Sequence, residues 1–477
     1  MKPTYVVIGG GISGLAAAYQ LCRRGHKVLL AESSTRFGGW IQSIPLGDGI
    51  VYETGPRTLR PTGESGRSTL LLLDELDMTG SAIAVPRTAK AARRRLVCID
   101  NHLYPIKTGL SAFFFPHAPF YVPLLSVILK DLSTSRKACD DESLYDFTYR
   151  RFGKRIADNG IDPLCRGVTG GDAREISVKA IFRPLFEAEQ NYGTVFGGML
   201  RKVKLPEVDI KFSPHGTEHV DSTSPSVIRS RKEHWAVWSV NGGLQMLVEG
   251  LLRSLRSHQA ELYLGTPCQR LEFRDGVAKV DLGRTTIQTR HVFSAVPAPA
   301  LAGLLGEEHY VLKQLLNTIQ SVDMGVVNLE YEGKVLKREA FGYLVPSHQG
   351  GRALGTVFDT CAFPQKNSTI LTVMLGGRWF QSVFGDDPSS DDLLEAAKEE
   401  VELRLGIKVP PKRYHVSLHR GCIPQHTVGH YERLVGMRDY IRDHCLPLTI
   451  IGASYDGISV NDCIHHSRKA VNELNLV

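Results

Sequence analysis

Near its N-terminal end the sequence carries a short apolar run, Tyr5-Val6-Val7-Ile8, that passes without a spacer into Gly9-Gly10-Gly11-Ile12-Ser13-Gly14. Gly9, Gly11 and Gly14 stand in G-x-G-x-x-G spacing. Leu15 to Arg24 has helical composition, Gly25 ends it, and a second apolar run, Val28 to Ala31, closes on Glu32. A strand, a glycine turn, a helix and a second strand, with an acid about 20 residues on, is the pattern that holds a dinucleotide. Gly9 permits the tight turn, Gly11 the close approach of backbone to a pyrophosphate, and Gly14 the packing of helix on sheet. The pyrophosphate then rests on the open N–H groups and positive dipole end of a helix starting near Ile12 and Ser13. Glu32, with Ser33 beside it, is placed to accept from ribose hydroxyls. The extension Arg36-Phe37-Gly38-Gly39-Trp40 favours FAD over NAD. The predicted fold class is α/β, with a Rossmann-like FAD-binding domain.

At 477 residues the chain is too long for one simple core, and two or three lobes are expected. A net charge of +7 suits anionic lipid or an acidic substrate but is mild for a nucleic-acid binder, and no nucleic-acid module is evident, so none is expected as partner. The nine cysteines are scattered, odd in number and never spaced C-x-x-C, which predicts free thiols in a reducing setting. Met1-Lys2-Pro3-Thr4 leads directly into the first strand, so any organelle address is expected to be internal and uncleaved.

The FAD-binding domain is expected to return in three pieces, 1–88, 226–299 and 416–477. The second holds a helical stretch from Leu244 to Leu255 and strand-like segments at 262–264, 278–282 and 292–297. The third runs from Leu448-Thr449-Ile450-Ile451 into a final helix. Inserted between them are a helical, membrane-contacting and substrate lobe at 89–225 and a strand-rich, α+β substrate-binding lobe at 300–415. The latter has strands near 325–331, 342–345, 353–358 and 370–375 and a helix over 391–405 that Gly406 stops. The polar 213–226 segment reads as a surface loop. Leu110 to Leu129 is strongly apolar but interrupted by Pro116, Pro119 and Pro123. A spanning helix wants about 20 uninterrupted apolar residues. That leaves a buried helical hairpin or a monotopic membrane-contact surface.

Several further segments carry chemistry. Gly55-Pro56-Arg57 fixes a turn from which Arg57 could reach a flavin. Gly452-Ala453 through Gly457-Ile458-Ser459-Val460 opens the last helix, a second helix N-terminus suited to an electron-rich reduced ring. His415/His419 and His426/His430 have i, i+4 spacing, but the first pair lies in a β-like alternation and Pro424 separates the two, so no metal site is expected. Cys422 reads as a buried thiol rather than a flavin tether. Lys90, Arg93, Arg94 and Arg95 open the inserted lobe, and a guanidinium there is suited to a substrate carboxylate.

Taken with Leu164-Cys165-Arg166-Gly167-Val168, Phe341-Gly342-Tyr343-Leu344-Val345-Pro346, Val373-Met374-Leu375-Gly376-Gly377, Cys422-Ile423-Pro424-Gln425 and Val460-Asn461-Asp462-Cys463, the chain resembles the protoporphyrinogen oxidase family of flavoproteins, animal mitochondrial type, from first strand to last helix. The resemblance implies that Arg95 pairs with a propionate of the tetrapyrrole, and that Phe341 and Leu344 grip the macrocycle with Val357 and Met374 lining the same pocket. It implies too that the Gly167 carbonyl faces the pyrrole N–H groups. Flavin contacts are implied at Glu32, Trp40, Arg57, Ala453 and Ile458 to Val460. With the fingerprint and turns, the cofactor set is Gly9, Gly11, Ile12, Ser13, Gly14, Glu32, Ser33, Arg36, Gly39, Trp40, Gly55, Pro56, Arg57, Thr58, Cys268, Ala453, Ile458, Ser459 and Val460. His426, Thr58 and Thr169 depart from the family pattern.

The implied reaction is oxidation of protoporphyrinogen IX by hydride transfer to FAD, with O₂ reduced to H₂O₂, the penultimate step of haem synthesis. The implied setting is a homodimer held monotopically on the intermembrane-space face of the mitochondrial inner membrane, with ferrochelatase as a partner. A large apolar disc with acidic arms calls for apolar walls and a guanidinium anchor. Hydride transfer needs alignment more than proton transfer, so no residue is assigned as acid or base. The alternatives are an amine oxidase or carotenoid-type desaturase, or a non-redox flavin-fold protein such as the prenyl-GTPase escorts.

Overall fold

Tyr5–Ile8 is the central strand of an all-parallel five-stranded sheet, ordered Leu448–Ile450, His291–Ser294, Tyr5–Ile8, Val28–Ala31, Glu261–Tyr263. Strands covered on both faces are apolar at every position, and Val6 and Val7 point to opposite sides with no exposure on either. Tyr5, Val7, Val28, Leu30 and Phe293 face one core with the helices Ile12–Arg23, Gln245–Ser257 and Val460–Glu473. Val6, Ile8, Leu29, Ala31 and Val292 face a second core. A three-stranded antiparallel sheet (Arg270–Arg274, Val277–Asp281, Thr286–Thr289) and the helices Ala298–Leu304 and Tyr310–Asn317 complete it.

In this computed structural model, residues 5–107, 109–204 and 224–474 are described. The chain forms two compact units. The first comprises Met1–Arg87, Thr217–Gln320 and Glu432–Val477, and the second Thr88–Gly216 and Ser321–Tyr431.

The second unit is built on a seven-stranded sheet ordered Arg413–Pro424, Ser321–Glu332, Ser368–Gly377, Ala353–Phe358, Gly342–Leu344, Arg95–Ile99, His102–Pro105. All neighbours are antiparallel except Gly342–Leu344 and Arg95–Ile99, which are parallel. One face is sealed by the helix Ser390–Leu405, whose Leu393, Leu394, Ala397 and Val401 pack on Tyr343, Val373 and Leu375. That helix starts in a capping box between Ser389 and Asp392 and stops at left-handed Gly406, the ends its sequence predicts.

Three expectations shift. Residues 89–225 and 300–415 do not separate into two lobes, because the Arg95–Ile99 strand joins the sheet of the strand-rich segment. Residues 300–320 are largely helical and lie in the first unit, and residues 416–431 lie in the second, because Arg413–Pro424 pairs with Ser321–Glu332. The 110–129 segment is not a buried hairpin. It breaks into the helices Leu110–Phe114 and Leu124–Ser133, with Leu110, Phe114, Phe115 and Leu129, and Leu132 just beyond, all more than half exposed. Among the described residues no helix is long and apolar enough to cross a membrane. Most of the 213–226 segment lies outside the described residues; at its end Ser224 caps the helix Pro225–Lys232.

Candidate active site

In the first unit the fingerprint forms a closely fitted turn. A Cβ at Gly14 would lie 1.9 Å from the Gly9 carbonyl oxygen, so only glycine lets the helix start this near the strand it follows. Gly11 differs: a Cβ there meets nothing nearer than Gly39 Cα at 3.9 Å, which leaves open the face a phosphate group would approach. Gly11 is the helix N-cap and has no side chain to cap with, so the N–H groups of Ile12, Ser13 and Gly14 are presented to an anion.

Glu32 ends the second strand. Its Oε2 accepts from Gly10 N at 2.5 Å, and its Oε1 accepts from Ser34 N at 2.7 Å and the Ser33 hydroxyl at 3.3 Å. The carboxylate thus ties the second strand to the glycine turn while retaining lone pairs for a ribose. The 263–266 loop bonds the same stretch, Thr266 N to Glu32 O at 2.8 Å and Gly265 N to Ser34 O at 2.9 Å. Cys268 follows that loop, half-buried, its thiol pushed up to about 12 by burial and donating to Arg270 O at 3.6 Å.

Arg36 bends back onto its own loop, donating to Ile41 O at 2.9 Å and to Gly39 O. It therefore shapes the Gly38-Gly39-Trp40 turn, and Trp40 is left 42% exposed. A Cβ at Gly55 would lie 2.1 Å from Trp40 O, which brings the Gly55-Pro56-Arg57-Thr58 turn alongside. Gly452, with φ of 114°, lies within 3.6 Å of Ser13 Oγ as measured from its ideal Cβ. Ala453 adjoins it, so the C-terminal segment meets the fingerprint. Ser459 caps the last helix by accepting from Asp462 N at 3.1 Å, which leaves Ile458 and Val460 flanking that helix start. These groups converge from four stretches of chain, and with an open, donor-rich turn they fit FAD.

The second unit assembles a wall from the other set. Arg95 stands in register with Gly342, Gly342 with Val357, and Leu344 with Gly355, which pairs with Met374. Alternation along a strand therefore puts Arg95, Leu344, Val357 and Met374 on one face, opposite the face sealed by the Ser390–Leu405 helix. Phe341 immediately precedes, its N–H donating to Arg94 O at 2.9 Å and its carbonyl accepting from Phe358 N at 3.0 Å. Arg95 is exposed, while Phe341, Leu344, Val357 and Met374 are each partly buried. The helix Asp162–Thr169 packs on this face: a Cβ at Gly167 would lie 2.3 Å from Leu344 Cδ2. Four of the six expected substrate residues, Arg95, Leu344, Val357 and Met374, thus share one sheet face; Gly167 packs against it from the helix, and Phe341 adjoins it at Gly342.

Sequence reasoning gave no role to two side chains under that wall. Arg166 is buried, donates to Val345 O at 2.6 Å and stacks 4.5 Å from the Trp379 ring centroid. Asp162, buried one turn earlier, accepts from Ser347 N at 2.5 Å. Their signal was only a charged residue in each of two otherwise apolar helical turns. The His426 and His430 rings stack at 3.8 Å, both buried, and among the described residues no cluster suited to a metal ion occurs. All nine cysteines are free; Cys422 is half-buried, its thiol pushed up to about 12 by burial.

The sequence profile of the flavin containing amine oxidoreductases matches residues 12–475. Protoporphyrinogen oxidase of Homo sapiens is 38% identical, with 98% of each chain covered, and that of Bos taurus has the same identity and coverage. Among solved structures, cyclohexylamine oxidase from Brevibacterium oxydans superimposes with a TM-score of 0.69 at 16% identity, covering 99% of this chain and 98% of the other, a likeness of fold.

Proposed function

The chain belongs to the flavin-containing amine oxidoreductases and, within them, to the protoporphyrinogen oxidases, and from that premise we propose how its two sites divide the work. It is an FAD-dependent oxidase that converts protoporphyrinogen in haem biosynthesis. Bound FAD supplies the hydride acceptor, three two-electron oxidations removing six electrons in all, with three O₂ reduced to three H₂O₂.

The protein's share is binding and alignment. Arg95 anchors a propionate of the macrocycle through a charge-assisted, bidentate-capable guanidinium. Leu344, Val357 and Met374 hold the apolar ring, and Phe341 closes the edge beside Arg95. Gly167 lies where its helix comes nearest the wall, and its carbonyl is the acceptor for pyrrole N–H groups. The glycine turn, Glu32 and the Gly452–Val460 segment hold the dinucleotide. The observation that carries this reading is the shared sheet face of Arg95, Leu344, Val357 and Met374. The exposed apolar side chains of 110–132 are the contact with the mitochondrial inner membrane, held monotopically. Homodimerisation and delivery of product to a ferrochelatase follow from the family resemblance.

The purified protein is expected to be yellow and, under air, to convert protoporphyrinogen to a red-fluorescent product with three H₂O₂ per molecule. A yellow protein that leaves protoporphyrinogen unoxidised would overturn the reading; a colourless one would favour a non-redox escort role.

A further inference from the structure

The wall that faces the macrocycle depends on an unusually near approach. The helix Asp162–Thr169 is short, yet it comes so near the Gly342–Leu344 strand that Gly167 has no room for a Cβ against Leu344. Two buried charged side chains, one turn apart on that helix, fasten it there. Arg166 Nη1 donates to the carbonyl of Val345, the residue after Leu344, at 2.6 Å. Asp162 Oδ2 accepts from the N–H of Ser347, two residues further, at 2.5 Å.

Neither charge is placed as an apolar helix would place it. Arg166 is only 3% exposed, its Nε finds no hydrogen-bond partner, and its guanidinium lies over Trp379. Burial lowers its pKa and raises that of Asp162, so both charged forms are held at a cost. Arg174 Nη1 stands 3.8 Å from Asp162 Oδ1. A buried charge contributes little net stability compared with a packed apolar side chain, and its best-attested use is to fix one geometry among several. Here the two bonds hold the main chain of residues 345–347, immediately beyond Leu344, and so set the Gly167–Leu344 spacing.

The geometry points to Arg166, with Asp162, as positioning residues for the macrocycle, an inference that rests on the porphyrinogen reading above. They set how far Leu344 and the Gly167 carbonyl stand from each other, and through that spacing the fit of the ring. They touch neither substrate nor flavin in this role. A displacement of the order of 1 Å at a binding wall is enough to cost roughly a hundredfold in reactivity.

The test uses the full-length, FAD-loaded protein. Arg166→Met keeps the volume and removes the donor; Arg166→Lys keeps a donor able to reach Val345 O. Arg166→Met is expected to raise KM for protoporphyrinogen at least about tenfold, with FAD content and flavin absorbance unchanged, and Arg166→Lys to recover most of it. In a double-mutant cycle, Arg166→Met is expected to have little further effect on KM once Leu344→Ala has removed the side chain it positions. Unchanged KM in Arg166→Met, or full additivity with Leu344→Ala, would overturn the inference. If Arg166→Met does not accumulate folded, Asp162→Ala, which removes the acceptor for Ser347 N–H, carries the same cycle. Failure of the wild type to oxidise protoporphyrinogen would instead sink the functional reading.

Discussion

Arg151 and Glu189 pair in the interior of the second unit with neither side chain exposed. Arg151 also donates to Asp131 Oδ1 at 3.3 Å and to the carbonyls of Thr134 and Gly193, both at 2.9 Å. Arg150 brings a second guanidinium to Glu189 at 2.7 Å. The cluster joins the helix Leu124–Ser133, whose Leu129 and Leu132 face outward, to Leu144–Phe152 and Arg183–Tyr192. Removing one partner strands a buried charge. Arg151→Met is therefore expected to destabilise the protein by about 3–5 kcal/mol in urea unfolding. A loss below about 1 kcal/mol would mean that the cluster is solvated.

Burial opposes a charge on Glu189, but hydrogen bonds from Arg150, Arg151 and the Lys137 N–H outweigh it and hold the carboxyl down to about 2. A carboxyl whose folded pKa is depressed contributes stability above its unfolded value, about 4.3, and loses it as pH falls towards the folded one. Unfolding free energy is expected to drop between about pH 4.5 and 2, by of the order of 3 kcal/mol from this group. Glu189→Gln should flatten that part of the profile. An unaltered acid limb would refute the assignment.

The glycine turn predicts two different failures from one substitution. Gly14→Ala puts a methyl 1.9 Å from a backbone carbonyl, so the apoprotein itself is expected to lose stability along with its FAD. At Gly11 the same methyl enters open space, with φ of −68° that alanine adopts readily. Gly11→Ala is expected to keep apoprotein stability and weaken FAD binding tenfold or more, about 1.4 kcal/mol. Flavin titration beside thermal unfolding of the apoproteins separates the two; equal thermal losses would contradict it.

Arg95→Ala is expected to raise KM for protoporphyrinogen and leave flavin content intact, since Arg95 lies on the second unit's sheet and the glycine turn belongs to the first unit. Loss of a charge-assisted bond of about 1.5–3 kcal/mol corresponds to roughly ten- to a hundredfold. Steady-state kinetics with a matched flavin spectrum decide it, and an unchanged KM would remove the propionate anchor.

Leu110, Phe115, Leu129 and Leu132 are among the most exposed apolar side chains of the 110–132 segment. Replacing all four with serine is expected to abolish sedimentation with phosphatidylcholine–cardiolipin vesicles while activity in detergent persists. Vesicle binding that survives the four changes would place the membrane contact elsewhere.

The flavin cradle was readable because its instructions are local. A strand, a turn that needs glycine and a helix lie within a few consecutive residues, and Glu32 ends the next strand. The helix Ser390–Leu405 was readable for the same reason, its acidic first turn and Gly406 being written at its two ends. The substrate wall was not readable from spacing alone. Only the parallel pairing of Arg95–Ile99 with Gly342–Leu344 makes Arg95 a neighbour of Phe341 and Leu344, and nothing in either segment encodes its distant partner. The resemblance to a family supplied those residues. Nothing in the sequence marks Arg151 as buried, because its burial is set by the helices that close over it. The 110–129 segment stayed open for a related reason: apolarity says that water is avoided, but only packing says whether protein covers the residues.

The parallel sheet that holds the dinucleotide draws its five strands from the first thirty-odd residues, from the middle of the chain and from Leu448–Ile450. The helix Val460–Glu473 buries Val460, Ile464 and Val471 in the same core as the fingerprint helix. During synthesis the glycine turn therefore emerges well before the strand and helix that complete its sheet and core. Its edge strand, its covering helix and the Gly452 segment are made only after both stretches of the second unit. Flavin loading therefore has to wait for residues 448–473, and a chain that stops short of residue 448 carries a complete fingerprint without its edge strand or covering helix.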